Sequence, residues 1–148
     1  MSLPTEADFA LIKIGDGESS ETFAAVCGIQ NAAINFTVNT ADRFVRDCAK
    51  PGEVPNRRVK VTGKQCDITG AGFTDKAGVA TLQAALGVSQ NYEIELYQDD
   101  GTDAGTLLGT IALAAVMTAH NMSIPRDGDA TAEITIASDG AWTWTAES

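Results

Sequence analysis

The sequence offers few side chains in arrangements that support catalysis. It contains one histidine, His120, and no GxSxG segment around any serine, so neither a serine triad nor a histidine acid–base pair has its residues. A single histidine without a partner is more often structural than catalytic. We therefore predict a protein that is not an enzyme, with no catalytic residues and no cofactor.

Two other segments have residue types that bind ligands elsewhere. Asp99, Asp100 and Asp103 cluster within Gln98–Gly105, but the segment lacks the spacing and closing glutamate of an EF-hand. Aspartate and glycine are also ordinary hairpin-turn residues. Gly70-Ala-Gly72 lacks the lysine of a phosphate-binding loop, and glycines in a strand indicate close backbone approach. We expect a turn, a strand and no metal site.

The three cysteines have no metal-binding spacing. An odd count without an export signal favours free thiols in a reducing cytoplasm. Cys27 and Cys66 fall in strand patterns and are expected to be buried and inert. Cys48 lies between Arg46 and Lys50, and neighbouring positive charge favours thiol reactivity, so Cys48 is predicted to react first.

Trp142 and Trp144 alternate along a predicted strand and therefore share one of its faces. Such a pair could stack on a sugar, although tryptophans on one face more often anchor a core or an interface. A carbohydrate-binding β-sandwich therefore stays open as an alternative from a different functional class.

Composition limits the remaining possibilities. The 148 residues predict a single domain, 1–148, and a hydrophobic content of 44% predicts a globular fold. No apolar run is long enough to span a bilayer, so no membrane partner is expected. The net charge of −10 argues against nucleic-acid binding through bulk electrostatics, because phosphates repel such a surface.

The stretch from Val59 to Tyr97 predicts a strand, a helix and a second strand. Val59 and Val61 stand at odd positions, whereas Cys66 and Ile68 stand at even ones, and this phase slip predicts a β-bulge near Gly63. A helix over 74–87 is predicted from its N-cap residues, its glycine stop and an apolar stripe of Val79, Leu82 and Leu86.

Alternating apolar residues predict strands over most of the remaining chain, with a turn at Ser138-Asp-Gly140 before the last one. The fold class is therefore mostly β: a β-sandwich or barrel with one flanking short helix and a long extended loop. That loop is the segment 39–60, which has no sustained period. It holds six of the ten basic residues and three of the twenty acidic ones, so its charge is +3 and that of the remainder is −13. It could be a solvated surface excursion, but loops this long are often functional.

Three segments carry a resemblance to a known family. They are Gly52-Glu-Val-Pro-Asn-Arg-Arg-Val59, Cys66-Asp-Ile-Thr-Gly-Ala-Gly72 and Ala132-Glu-Ile-Thr-Ile-Ala-Ser-Asp-Gly-Ala-Trp-Thr-Trp144. In this order, over about Phe9 to Thr145, they resemble the major tail tube proteins of long-tailed, siphovirus-like bacteriophages. The inner tube of a contractile injection or secretion system is a related alternative.

The resemblance implies that the β-sandwich or barrel consists of two packed antiparallel sheets. It also implies hexameric rings that stack into a hollow tube, and passage of DNA without specific binding. It also implies a place in the virion tail after assembly in the host cytoplasm, with other tail proteins at the tube ends. The long loop would reach a neighbouring subunit or ring, which makes its basic, apolar and thiol side chains candidate interface residues: Arg43, Phe44, Val45, Arg46, Cys48, Lys50, Val54, Arg57, Arg58 and Lys60. Candidate acids for the bore are Glu93, Glu95 and Asp99.

Overall fold

The computed structural model describes residues 4–18 and 20–147. Within them the chain forms strands along most of its length and one short helix, so the predicted mostly-β class is confirmed. The elements in chain order are β1 (Phe9–Gly15), β2 (Phe23–Ala25), β3 (Ile29–Val45), β4 (Asn56–Phe73), α1 (Lys76–Ala85), β5 (Ser89–Gln98), β6 (Thr106–Ser123) and β7 (Thr131–Ala146).

The strands form one antiparallel sheet in the order β2-β1-β5-β6-β7-β4-β3, rather than two separate sheets. This sheet curls so that β1 lies across the core from β4. A Cβ placed on Gly70 of β4 would lie 3.0 Å from Ile12 Cδ1 of β1 and 3.2 Å from Ile134 Cγ1 of β7. Curling lets a single sheet bury one apolar face against itself, and this produces the layering expected from two sheets.

Alternate residues of the central strands fill the core. On β5, Tyr92 and Ile94 are buried, and on β6 every second residue from Ile111 to Met117 is buried. Alternation with a period of two is the pattern of a strand with one covered face. The buried set is Ile12, Ile14, Val26, Ile29, Cys66, Ile68, Leu82, Ala85, Tyr92, Ile94, Ile111, Leu113, Ala115, Met117, Ala132, Ile134 and Ile136.

The helix is shorter than the predicted 74–87. It packs Leu82 and Ala85 on the core, whereas Leu86 is the extended C-cap residue and is partly exposed. The glycine stop is confirmed, because Gly87 has a φ of +77°, a backbone conformation that glycine adopts without steric cost. No helix in the described part of the chain is long and apolar enough to cross a membrane.

The predicted turn at Ser138-Asp-Gly140 is wrong, because β7 is continuous there. Its register shifts from Ala115↔Ser138 to Leu113↔Trp142, so three residues of β7 oppose one residue of β6. Gly140, with a φ of +125°, accommodates this bulge without steric cost. The strand therefore continues along β6 and places both tryptophans on its core side.

The prediction of close backbone approach at Gly70 and Gly72 is confirmed. A Cβ on Gly72 would collide with the carbonyl oxygen of Gly28, and one on Gly70 would press on Ile29. Phe73 donates its backbone N–H to that same Gly28 oxygen at 2.8 Å, which ties the start of β3 to the end of β4.

Candidate assembly interface

The segment 39–60, predicted to be an irregular loop, is instead the outer half of a long β-hairpin. β4 pairs with β7 only as far as Asp67↔Ala137, but it stays paired with β3 up to Val45↔Asn56. We call the projecting part, residues 36–66, the arm. Its ten residues in β3 reach roughly 33 Å, and only residues 46–55 lie outside its strands.

The predicted bulge is confirmed in the arm. The register shifts from Asn39↔Gly63 to Thr40↔Val61, so Thr62 is the extra residue. This shift turns Val59 and Val61 to the same side as Cys66 and Ile68, which face the core.

On the side of the arm that continues the core face of the body, four apolar residues each lie opposite a polar one: Phe44 opposite Arg57, Val59 opposite Asp42, Val61 opposite Thr40 and Val38 opposite Lys64. We call these four apolar residues, Val38, Phe44, Val59 and Val61, the apolar face of the arm; each is at least half exposed, and Phe44 is 72% exposed. Burying a valine or phenylalanine contributes roughly 1.5–3 kcal/mol, so an uncovered row of them indicates a surface that another molecule covers.

The opposite side of the arm is basic. Arg43 and Arg58 are direct cross-strand partners, and Lys60 opposite Ala41 follows on the same side. None of these three cations forms an ion pair with any described residue. Like charges placed directly opposite each other are destabilising, so this basic face favours an acidic partner.

The tip of the arm is held by hydrogen bonds. The Nη1 of Arg46 donates to the carbonyl oxygens of Pro51 at 2.7 Å and Glu53 at 2.9 Å, while Lys50 lies 4.0 Å from the Glu53 carboxylate. Arg46 and Lys50 therefore act within the tip. Val54 is 85% exposed, and Val45 is partly exposed on the basic side.

The three cysteines differ in exposure. Cys48 is exposed at the tip and Cys66 is fully buried at the base of the arm, where burial and the nearby Asp67 raise the pKa of its thiol. The prediction that Cys27 is buried is wrong. β2 ends at Ala25 and Val26 takes the core position, so Cys27 points outward.

The predicted bore acids lie on β5 and in the turn that follows it. Glu95 is only 8% exposed; Lys13 Nζ lies 2.8 Å from its Oε1, and the hydroxyl of Tyr97 donates to its Oε2. Burial raises the pKa of Glu95, but hydrogen bonds from Lys13 and Tyr97 and the charge of Lys13 outweigh it and leave the pKa lowered. The same hydrogen bond raises the pKa of Tyr97 to about 12. Glu93 has no ion pair among the described residues.

On the side of the sheet away from the core, charged residues of β1 and β5 lie beside small residues of β6 and β7. Glu93 lies in register with Lys13 and Ala112, and Glu95 with Thr110. We call this side the outer face; its members on the four strands β1, β5, β6 and β7 include Leu11, Lys13, Glu93, Glu95, Thr110, Ala112, Thr143 and Thr145. Asp99 follows β5 in the hairpin turn and donates its N–H to Asp8.

Two strand edges of this four-stranded region are open. The register of β1 with β2 covers only Lys13–Gly15, which leaves Phe9–Leu11 unpaired on that side. The segment Trp142–Ala146 pairs with β6 alone, because the pairing of β7 with β4 ends at Ala137. Unpaired backbone along such edges is a template for adding a strand from another chain.

The remaining candidate groups serve packing and turns. Trp142 packs on Phe36 with ring centroids 5.3 Å apart, whereas Trp144 lies over Gly109 and is 53% exposed. The side-chain Nε2 of Gln83 forms a hydrogen bond of 2.8 Å with Nδ1 of His120, and this bond links α1 to β6. The carboxylate of Asp100 accepts hydrogen bonds from Thr102 and Thr106 within its turn, which lowers its pKa.

Sequence reasoning missed the hairpin arm and the Lys13–Glu95–Tyr97 cluster. One indication of the cluster was present in the sequence, since Lys13 is the one charged residue in the apolar segment Phe9–Ile14. A single lysine in a strand does not identify its partner, because the pairing of β1 with β5 joins residues about eighty positions apart. Within residues 4–18 and 20–147, no group of three or more His, Cys, Asp or Glu residues could hold a metal ion.

Comparison with solved structures shows the same fold in tubular assemblies. The tail of an empty gene transfer agent particle, computed with C6 symmetry, is 22% identical with a TM-score of 0.65 over 92% of this chain and 95% of that one. The anti-feeding prophage baseplate, six-fold symmetrised, is 14% identical with a TM-score of 0.67 over 99% of this chain and 98% of that one. The SPP1 tail tube is 11% identical with a TM-score of 0.58 over 93% of this chain and 76% of that one. At these identities the similarity shows a shared fold.

Among curated protein sequences, none matches this chain. Its sequence does match the family described as phage tail tube protein, over residues 7–144. This match includes the arm, the open edge at Phe9–Leu11 and the first three residues of the open edge at Trp142–Ala146. It spans nearly all of the 148 residues, and the protein therefore belongs to the phage tail tube protein family.

Proposed function

We propose that six copies of this protein form a ring, and that rings stack into the tail tube of a virion through which DNA passes without specific binding. The observation that carries the proposal is the apolar face of the arm, which continues the core face yet has nothing covering it. The C6 symmetry of a tail with the same fold supports six copies. We assign the chain no catalytic step.

Ring closure would use the two open strand edges. The edge at Trp142–Ala146 of one copy and the edge at Phe9–Leu11 of the next lie at opposite ends of the four-stranded region. Pairing them joins different surfaces of identical copies, and such heterologous contacts close into rings. A continuous sheet around the ring leaves no unpaired edge, which favours the closed form.

The outer face would then line the bore. Its β6 and β7 members are small, and Lys13 is already neutralised by Glu95, so Glu93 supplies its unpaired charge. An anionic wall without free cations gives phosphates no counter-charge, so DNA would pass without being held. Asp99, in the turn at one end of this face, would add negative charge at the rim.

The arm would be the assembly element, covered by a neighbouring copy in the tube. Deleting residues 42–55 tests this directly. Ala41 and Lys60 are cross-strand partners, so the deletion leaves a four-residue connection, 56–59, between paired strand ends. We expect a folded, soluble subunit that forms no tubes by electron microscopy, whereas the full chain forms them. Normal tubes from the deletion variant would show that the arm is only a surface excursion.

The inner tube of a contractile injection system stays a second candidate. The sheath–tube complex of an extracellular contractile injection system has the same fold, at 18% identity and a TM-score of 0.63. The two functions differ in whether a sheath surrounds the tube. Electron microscopy of assembled particles separates them, since a sheathed tube would favour the contractile system and a bare tube the long-tailed phage.

A further inference from the structure

Lys13 is the only lysine or arginine in the four strands that carry the outer face. The strands β1, β5, β6 and β7 hold no other such residue, whereas the outer face includes both Glu93 and Glu95. In a ring of six copies, six Lys13 ammonium groups would stand along the bore. A cation on this wall is the group that would offer a counter-charge to a passing phosphate, so the partners of Lys13 decide whether the wall holds DNA.

Lys13 pairs with the less exposed of two neighbouring carboxylates. Glu93 is its direct cross-strand partner in the register of β1 with β5, but Nζ of Lys13 lies 2.8 Å from Oε1 of Glu95, one diagonal step along the same face. Glu95 is the one charged side chain that is buried among the described residues. Salt screens a partly buried ion pair much less than an exposed one, so this pair persists where exposed pairs weaken.

Tyr97 holds the second oxygen of the Glu95 carboxylate. Its hydroxyl donates a hydrogen bond to Oε2, so both carboxylate oxygens have a partner. The Tyr97 ring is stacked on Phe9 with centroids 5.1 Å apart and planes 3° apart, and a Cβ on Gly105 would lie 3.3 Å from Cζ of Phe9. Packing and hydrogen bonds of this kind hold a charged group in one geometry. The carboxylate is therefore directed at Lys13 instead of turning towards solvent.

We propose that Glu95, positioned by Tyr97, masks Lys13 from DNA phosphates, and that this mask keeps the tube from holding DNA. The inference rests on the proposed function and names the residues that make passage free of binding. Glu93 does not replace the mask, because it is less buried and an ion pair open to solvent contributes little. Without Glu95, each ring would present cations whose attraction for DNA falls as salt rises.

Two charge-matched variants test the mask. Glu95→Gln and Glu93→Gln each remove one negative charge from the same side of β5. Tubes are mixed with a short double-stranded oligonucleotide and pelleted, and the DNA in the pellet is measured over a range of salt concentrations. Tubes of Glu95→Gln should retain at least about tenfold more DNA than the wild type at low salt and lose it as salt rises. Tubes of Glu93→Gln should match the wild type, since Lys13 keeps its partner.

Removing the lysine as well separates masking from stability. The double variant Lys13→Gln with Glu95→Gln also lacks the ion pair, but it has no cation to unmask. Its tubes should therefore return to wild-type retention. Tubes that held DNA only because their subunits were disturbed would still hold it in the double variant, and that result would overturn the inference.

Tyr97→Phe tests the positioning role and keeps the aromatic ring that stacks on Phe9. Without the hydroxyl, one oxygen of Glu95 loses its partner, so DNA retention should lie between that of the wild type and that of Glu95→Gln. The matched control is Tyr92→Phe on the same strand, because the Tyr92 hydroxyl is buried and has no hydrogen-bond partner among the described residues. Equal retention by the two tyrosine variants would overturn the role of Tyr97. This comparison also carries the test if Glu95→Gln does not fold.

The outcomes separate this inference from the proposed function. If the wild type forms no tubes, the proposed function fails. Equal retention by Glu95→Gln and Glu93→Gln would overturn the mask. If tubes of Glu93→Lys hold DNA while those of Glu95→Gln do not, the outer face lines the bore and only the mask fails.

Discussion

Arg43 and Arg58 are direct cross-strand partners near the tip of the arm, with both guanidinium groups on the same side of the hairpin. Neither has an acidic partner among the described residues. A pair of like charges in this position lowers the stability of the isolated hairpin and becomes favourable only beside an acidic surface.

Replacing Arg58 by threonine should therefore separate folding from assembly. We expect the free subunit to be unchanged or more stable by up to about 1 kcal/mol in urea unfolding, because the repulsion with Arg43 is removed and threonine suits a strand. Tube formation, followed by sedimentation, should weaken and become less sensitive to salt. A variant that lost folding stability and assembly in parallel would contradict a role of this pair in assembly.

The Lys13–Glu95 ion pair should stabilise the subunit at neutral pH. Glu95→Gln should cost about 1–3 kcal/mol of unfolding free energy, since it leaves the Lys13 ammonium without its counter-charge. The folded-state pKa of Glu95 is lowered, so its contribution is present above the unfolded-state pKa and is lost as the pH falls through the folded-state value. The difference between wild type and variant should therefore shrink below about pH 4. Glu93→Gln, on the same side of β5, is the control and should change stability little.

Thiol labelling should distinguish the three cysteines in two states. In the free subunit Cys27 and Cys48 should react and Cys66 should not, because Cys66 is fully buried and its pKa is raised. In tubes Cys48 should become protected, since it lies at the arm tip. Unchanged labelling of Cys48 in tubes would argue against a buried tip.

Reversing the unpaired acid of the outer face should make the tube retain DNA. Tubes of Glu93→Lys should bind double-stranded DNA at low salt and release it as salt rises, because each ring would then present a ring of cations. Wild-type tubes, and tubes of Glu18→Lys in the loop after β1, should show no binding at physiological salt. Equal binding by the two variants would place Glu93 away from the bore.

Where one face of an element is buried, the sequence was a good guide to local structure. Alternation in Tyr92–Leu96 predicted β5, and the phase slip between Val61 and Cys66 predicted the bulge at Thr62–Gly63. Gly70 and Gly72 predicted close backbone approach for the same reason, since a packed interior leaves no room for a Cβ. Burial of one side imposes a period on the residue types, and that period is readable without coordinates.

The arm was missed because both its sides face solvent in the free subunit. Residues Asn39–Val45 place polar and apolar side chains on each side, so no period of two emerges, although the backbone is fully paired. The prediction of a turn at Ser138-Asp-Gly140 was wrong for a related reason. A bulge and a turn use the same residue types, and only the pairing of β7 with β6 shows which of the two is present.

The sequence by itself determined a mostly-β chain, its one helix, an acidic body and a basic segment between residues 39 and 60. Only the tertiary structure decided that the strands join in one curled sheet, that Glu95 is neutralised by Lys13, and that the segment 39–60 is the outer half of a projecting hairpin. Composition and period are local properties of the chain. Strand order, ion-pair partners and the direction of a projecting hairpin depend on contacts between residues far apart in sequence, and no local pattern encodes those contacts.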